Sequence, residues 1–302
     1  MSKTYNIKNL KKEFGTDKKC LDYIYNLKYK DLNHCLKCGV ISKHYNVEGT
    51  KRYVAKCGHT LFPCKDTIFE NSSTPLSLWF RAIFLFSISK NRVSAKELEI
   101  SLGITYKTAW RMAKKIRSVM DDDGNIMFEG ITEVDETYVG GRETNKHQRN
   151  RNTDLSHFKQ KASIIGLKNR DTNKVKFELV NKVDDKTISA FLGTNISKDS
   201  TIISDEWKGY RRVLKNADDW FSHRVVNHSN KEYVRYEDIR VLTNGIEGMW
   251  SCLKRGLKGT YIEVSKKHLP YYLNEFECRQ NHKDDVIFKE IIKNIWRGGS
   301  YE

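Results

Sequence analysis

What the chain lacks narrows its reading first. No run of about 18 apolar residues occurs, so no helix of ordinary length can span a bilayer, and no signal-peptide pattern opens the sequence; a cytosolic chain with no membrane partner is expected. An even cysteine set is missing too. The seven cysteines are odd in number and partly clustered, which argues for reduced thiols over a disulfide framework. Acidic residues are scarce in one part only: residues 1–120 carry 23 Lys+Arg against 9 Asp+Glu, net +14, whereas residues 121–302 carry 31 against 29, net +2. The total of +16 over 302 residues is therefore an N-terminal property, and a polyanion reader is expected there. The length suits two or three small modules.

The first module has a metal-type cluster. Cys35-Leu-Lys-Cys38-Gly39 forms a knuckle whose two thiolates face one ion, and a second knuckle must close a tetrahedral site. That second knuckle is irregular, with Val54 or Ala55 where its first thiolate belongs, so closure falls to Cys57 with Cys64 or His59. Cys35, Cys38, Cys57 and Cys64 are the set expected to hold a structural Zn2+ in a zinc ribbon. The alternative is a ribbon that has lost its metal, with Cys57 and Cys64 as buried thiols.

Next comes a helical region. Ser73-Thr74-Pro75 reads as a helix start before the apolar stretch Leu76 to Ile88, and Ser94-Ala-Lys-Glu97 as a capping box for a helix ending near Leu102-Gly103. Thr105 caps another through about Met120, in which Ala109, Met112, Ala113, Ile116 and Met120 recur at helical spacing. Lys107, Arg111, Lys114 and Lys115 lie mostly on the other side, as in the recognition helix of a helix-turn-helix; an amphipathic bundle with a solvated basic face is the alternative. Tyr106 and Trp110 suit either DNA or core. Asp121 to Asn125 reads as a linker, since the closing Glu of a calcium loop is missing.

Three polar segments remain: Glu133-Val-Asp135-Glu136, Ser204-Asp205-Glu206-Trp207 and Thr243-Asn244-Gly-Ile-Glu247-Gly-Met-Trp250. Asp135 interrupts an apolar, β-prone stretch, where a carboxylate is costly unless paired or metal-bound. Ala162 to Leu167 and Val175 to Val180 form a hairpin, Asp185 to about Asn195 a helix, and Thr201 to Ser204 a short strand delivering Asp205. That order predicts an α/β, ribonuclease H-like domain, a mixed sheet with flanking helices, in which Asp135 and Asp205 are neighbours. The helix past Gly245 adds Asn244 and Glu247 three residues apart, with Lys254 two turns beyond Glu247 to hold a phosphate. Such carboxylates can hold a pair of Mg2+ ions that activate water and stabilise a phosphodiester's leaving oxygen. Glu133, Glu136 and Glu206 read as surface residues or salt-bridge partners. His223 and His228 read as phosphate or second-layer contacts, or as ordinary surface or core histidines. Lys254, Arg255, Lys258, Lys266 and Lys267 form a basic stretch beside Tyr261 for DNA flanking a cut. A helix from about His268 to Gln280 packs through Leu269, Tyr272, Leu273 and Phe276.

Five ordered motifs, Tyr106-Lys-Thr-Ala-Trp-Arg-Met112, Val134-Asp-Glu-Thr-Tyr-Val-Gly-Gly141, Asp205-Glu-Trp-Lys-Gly-Tyr210, Asn244-Gly-Ile-Glu-Gly-Met-Trp250 and Lys254-Arg-Gly-Leu-Lys-Gly-Thr-Tyr261, closely resemble IS1595-family (ISXO2-like) insertion-sequence transposases. The resemblance runs from about Cys35 to Asn281. It implies a zinc-ribbon module over residues 1–70, a helix-turn-helix over 71–123 and an acidic-triad transposase domain over 124–302. It also implies cutting and joining of DNA at terminal inverted repeats with two Mg2+ or Mn2+ ions on Asp135, Asp205 and Glu247, with Asn244 as an additional donor and Lys254 as the basic partner. Lys107, Arg111, Lys114, Lys115, Arg255 and Lys258 are the expected DNA contacts; target DNA is the second partner, and a nucleoid-associated homo-oligomer must hold two element ends. The irregular knuckle departs from the usual four-cysteine ribbon. A DNA-binding regulator with an inactive acidic domain and a structure-selective nuclease are the rival readings. Tyr138, Tyr210 and Tyr261 suggest a tyrosine recombinase, for which no Arg/His cluster is evident.

Overall fold

A computed structural model describes residues 5–121, 126–140, 161–217, 219–227, 234–282 and 284–296. The chain divides into two compact units, Met1–Met120 with Asp284–Glu302, and Asp121–Lys283.

In the first unit, α1 (Ile7–Phe14) is capped by Asn6, which exchanges hydrogen bonds with Asn9, and α2 (Asp17–Lys28) by Thr16. A small antiparallel sheet of β1 (His44–Asn46), β2 (Tyr53–Ala55) and β3 (Thr60–Leu61) follows. The helix α3 (Leu76–Ile88) is apolar nearly all round, with Trp79, Phe80, Ile83 and Phe86 fully buried, which suits a helix surrounded by others. Pro75 offers no side-chain cap; Asp17 Oδ1 instead accepts from Ser77 N at 2.9 Å and Ser77 Oγ at 2.6 Å. α4 (Ala95–Leu102) starts on Ser94, whose Oγ accepts from Glu97 N, and ends on Gly103 at φ 65°, the left-handed conformation that closes a helix most cheaply in glycine. Two residues later Thr105 caps α5 (Tyr106–Ser118), whose Ala109, Met112, Ala113 and Ile116 face inward.

The second unit is built on a five-stranded sheet. β4 (Ile131–Val139), β5 (Ala162–Asn169) and β6 (Val175–Val180) are antiparallel neighbours; β7 (Ser200–Ser204) joins β4 in parallel and β8 (Phe221–Val225) joins β7 in parallel, giving the order β6-β5-β4-β7-β8. The crossovers are α6 (Asp185–Asn195) and α7 (Lys208–Lys215). A two-stranded ribbon, β9 (Arg235–Tyr236) and β10 (Arg240–Val241), leads into α8 (Asn244–Gly259), followed by α9 (Leu269–Asn281). Strand alternation divides the apolar side chains between two cores. Val134, Ile165, Leu167 and Ile202 pack with Ile188 and Leu192 of α6 and Tyr210 and Leu214 of α7, whereas Ile164 and Phe177 pack with Ile246, Trp250, Leu253 and Leu257 of α8 and Leu273 and Phe276 of α9.

The final helix is α10 (Asp284–Lys293). It groups with the N-terminal unit, where it packs on α3, and Tyr5 and Phe14 lie 5.8 and 5.9 Å from the Phe288 ring. Ile287, Ile291 and Ile295 recur every fourth residue and are fully buried, an apolar stripe that needs a helical partner.

Candidate active site

The two parallel strands carry carboxylates to one end of the sheet. Glu133 of β4 stands opposite Ile203 of β7; Asp135 lies two residues beyond Glu133 and Asp205 two beyond Ile203, close enough for the charge of Asp205 to act on Asp135. On its other side Asp135 pairs with Gly166 of β5. That glycine is required, because a Cβ would lie 2.7 Å from Cζ2 of Trp250, whose indole covers it. So held, Trp250 Nε1 donates to Asp135 Oδ2 at 2.9 Å.

Burial pushes the Asp135 carboxyl up to about 7, and the charges of Glu136 and Asp205 push the same way, against the Glu136 backbone N–H and the Trp250 indole. Glu136 is raised as well, by burial first and by Asp205, although the fully buried Tyr210 donates to its Oε2 at 2.9 Å. Asp205 Oδ1 accepts from Trp207 N at 3.0 Å in a turn leading into α7. Carboxylates that resist one another's ionisation form an all-oxygen donor set that a hard divalent cation relieves; such residues fit Mg2+ or Mn2+.

The helix α8 is docked on β4 by a residue that sequence reasoning placed at the margin. Glu133 is 1% exposed and shares its strand face with Asp135. Its Oε1 accepts from Arg170 Nε at 2.8 Å and its Oε2 from the Ile246 N–H at 2.8 Å, inside the first turn of α8. Gly245 lets the two approach, since a Cβ there would sit 2.6 Å from Glu133 Oε2. Arg170 also donates to the carbonyls of Arg240 and Leu242, which lead into the helix. The signal available in sequence was the Glu-x-Asp spacing, which puts both acids on one face of a strand.

Asn244 and Glu247 lie exposed on the first turn of α8, where Thr243 Oγ1 donates to Glu247 Oε1 at 2.9 Å; Lys254 is exposed farther along. Among the described residues no three carboxylates have oxygens all within 4.8 Å of one another. The structure thus brings Asp135 close to Asp205 and leaves Glu247 and Asn244 on the helix whose Trp250 touches Asp135, without a closed cage.

Residues 127–281, which contain all of these acids, match the family model described as the ISXO2-like transposase domain. The chain belongs to the IS1595-family, ISXO2-like transposases. Over 299 residues it is 25% identical to an uncharacterized protein in transposable element ISH50 of Halobacterium salinarum, covering 94% of this chain and 97% of that one. A chain of a simian T-cell lymphotropic virus intasome in complex with PP2A regulatory subunit B56 gamma is similar at TM-score 0.30 and 11% identity, covering 64% of this chain and 66% of its own, a likeness too slight to bear on the fold. Membership carries a transposase role, and with it the general use of divalent metal.

In this transposase three of the four expected cysteines come together. The thiols of Cys35, Cys38 and Cys57 lie within 4.8 Å of one another, compatible with zinc. Cys35 is lowered to about 6, first by the Cys38 backbone N–H and also by that of Lys37, the geometry of a knuckle. Cys64 stands outside the trio; it is buried, and that burial pushes its thiol up to about 11. Both ring nitrogens of His44 and Nδ1 of His59 are buried without a hydrogen-bond partner.

The expected DNA contacts of the transposase are placed unevenly. Lys107 and Arg111 are exposed, with Arg111 also donating to Thr74 Oγ1 at 3.3 Å, and Lys114 lies 6.0 Å over the Trp110 ring. Lys115 turns inward to the Ile68 carbonyl at 3.2 Å, and burial lowers its ammonium. Arg255 and Lys258 are exposed on α8. His223 Nε2 is 2.9 Å from Ser204 Oγ, and Tyr261 donates to Glu275 Oε2 at 2.7 Å. His228, Gly141 and the linker residues 122–125 lie outside the described residues.

Proposed function

We propose that this transposase binds the terminal inverted repeats of its insertion sequence, cuts the phosphodiester at the element end and joins the freed 3' hydroxyl to target DNA. The observation that carries the proposal is Asp135, half-buried on β4 and close to Asp205, which follows the adjoining parallel strand β7, in the matched domain. On this reading the strand order β6-β5-β4-β7-β8 is a ribonuclease H-like sheet and the acids are a DDE-type set. Two Mg2+ or Mn2+ ions held by Asp135, Asp205 and Glu247, with Asn244 as a further donor, would lower the pKa of an attacking water and stabilise the leaving oxygen.

The chain's own groups have separate tasks. Trp250 fixes the Asp135 carboxylate, Tyr210 turns Glu136 away toward the α7 face, and Lys254 holds a backbone phosphate near the cut. Tyr210 is poorly suited as a nucleophile, because burial and the neighbouring carboxylates hold its hydroxyl well above the ordinary tyrosine range. In the N-terminal unit α3, α4 and α5 form a helix-turn-helix region, with Lys107, Arg111 and Lys114 of α5 toward DNA. Structural zinc is held by Cys35, Cys38 and Cys57, with His59 and not the outlying Cys64 as the fourth ligand. Two ends must be held at once, so the working form is a homo-oligomer on nucleoid DNA.

An assay with Mg2+ or Mn2+, end-labelled terminal DNA and a supercoiled target tests the proposal. Wild-type protein is expected to nick the end and give strand-joined product, and Asp205→Ala to do neither. Binding with no metal-dependent nicking would mark a regulator, and nicking with no joining a nuclease.

A further inference from the structure

The loop after α8 contains a residue that is unusual on two independent counts. Ile262 has φ 65°, in the left-handed region that a β-branched side chain adopts only under strain, and its side chain is 83% exposed. It sits at the apex of a three-residue turn closed by Glu263 N donating to the Tyr261 carbonyl at 2.7 Å. Both shoulders of the turn are anchored. Tyr261 donates to the fully buried Glu275 and packs edge-on against Tyr272 at 4.6 Å, and Val264 packs on the core beneath α8 and α9. Solvated loops place Gly or Asn in such a conformation, so the isoleucine serves no evident folding purpose.

The surroundings of Ile262 indicate what it meets. It lines a cleft of 760 Å³ with Lys161, Lys254, Lys258 and Tyr138; Glu263 is the acid on that lining. Tyr138 links the cleft to the acids, since it lies on β4 two residues beyond Glu136 and three beyond Asp135. A rigid apolar tip among lysines matches a partner with an anionic backbone and an apolar interior reached by parting stacked rings. Duplex DNA has that chemistry, and proteins that kink it insert Ile, Leu, Phe or Met between base steps while cations hold the phosphates.

We infer that Ile262 is a wedge that enters the base stack of DNA held in this cleft and unstacks a step beside the acids. The inference rests on the reading of this domain as DNA-processing. Unstacking costs less at a flawed step, so the wedge confers a preference for DNA that is already locally open.

The test compares a short duplex of arbitrary sequence, intact or with one central mismatch, with 2-aminopurine beside the mismatch. Wild-type protein is expected to bind the mismatched duplex about tenfold more tightly and to raise 2-aminopurine fluorescence. Ile262→Gly and Ile262→Asn, both at home at positive φ, should melt no lower than wild type, bind the intact duplex normally and lose both the preference and the fluorescence rise. Lys258→Ala should weaken both duplexes equally. If the glycine variant keeps the preference and the signal, or weakens both duplexes alike, the wedge is overturned while the DNA-processing reading stands. If wild-type protein binds no duplex in a salt-dependent way, that reading falls and the wedge with it.

Discussion

At the scale of single residues, Asp135 gives the clearest pH signature. Its carboxyl is raised from 3.8 to about 7, so the charged form is disfavoured in the folded protein. Without metal, its contribution is least costly below the unfolded value and becomes a growing penalty as pH rises from about 4 to about 7, amounting to no more than about 4 kcal/mol. Asp135→Asn should therefore raise the melting temperature of the metal-free protein at pH 8, have little effect at pH 4, and abolish cleavage. Manganese should stabilise the wild type at pH 8 and not the variant; calorimetry with and without the ion decides this. Gly166 is the second point of leverage. A methyl group there drives into the Trp250 indole, so Gly166→Ala should cost about 1–3 kcal/mol in denaturant unfolding and displace the indole from Asp135.

Among the elements, α8 shows how a helix can be aimed by one buried ion pair. Removing Glu133 leaves Arg170, 19% exposed, without its carboxylate and the Ile246 N–H without its acceptor. Glu133→Ala should cost about 3 kcal/mol, read in urea melts, and slow cleavage more than DNA binding. The nearness of Asp135 to Asp205 was legible in sequence, because Asp135 breaks an apolar stretch and the strand pattern puts the two at neighbouring strand ends. The docking of α8 was not, since no local pattern tells that Glu133 is buried against Arg170, which lies 37 positions away. α10 was hidden for a similar reason: its isoleucine stripe announces a helix but not the partner it packs on. In the ribbon, spacing offered Cys64 as readily as His59, and only tertiary structure separates Cys64 from the thiol trio. Cys38→Ser is accordingly expected to lose bound zinc and lower the melting temperature, with Cys64→Ser retaining zinc by metal analysis.

For the whole molecule, the charge division bears on the proposed function. Residues 1–120, the greater part of the first unit, carry net +14 against +2 for the remainder, so on that proposal most phosphate attraction falls there and cutting in the domain with the acids. Affinity and chemistry should therefore separate under mutation. Each lysine or arginine that neutralises a phosphate releases counterions, so the log of the binding constant falls with log salt by about 0.9 per contact. Lys107→Ala with Arg111→Ala should lower that slope by about 2 and weaken binding to all sequences, with the catalytic rate on saturating DNA little changed. Lys115→Ala should leave the slope alone and instead destabilise the fold, because its ammonium serves the Ile68 carbonyl. Asp205→Ala should do the reverse of the α5 pair, keeping slope and affinity while removing metal-dependent nicking. A salt titration by fluorescence anisotropy on the same three proteins measures the slopes, with a urea melt for Lys115→Ala and a nicking assay for the other two. An unchanged slope in the α5 pair would move the phosphate contacts off that helix, and a lowered slope in Asp205→Ala would mean that the metal site itself carries the grip on DNA.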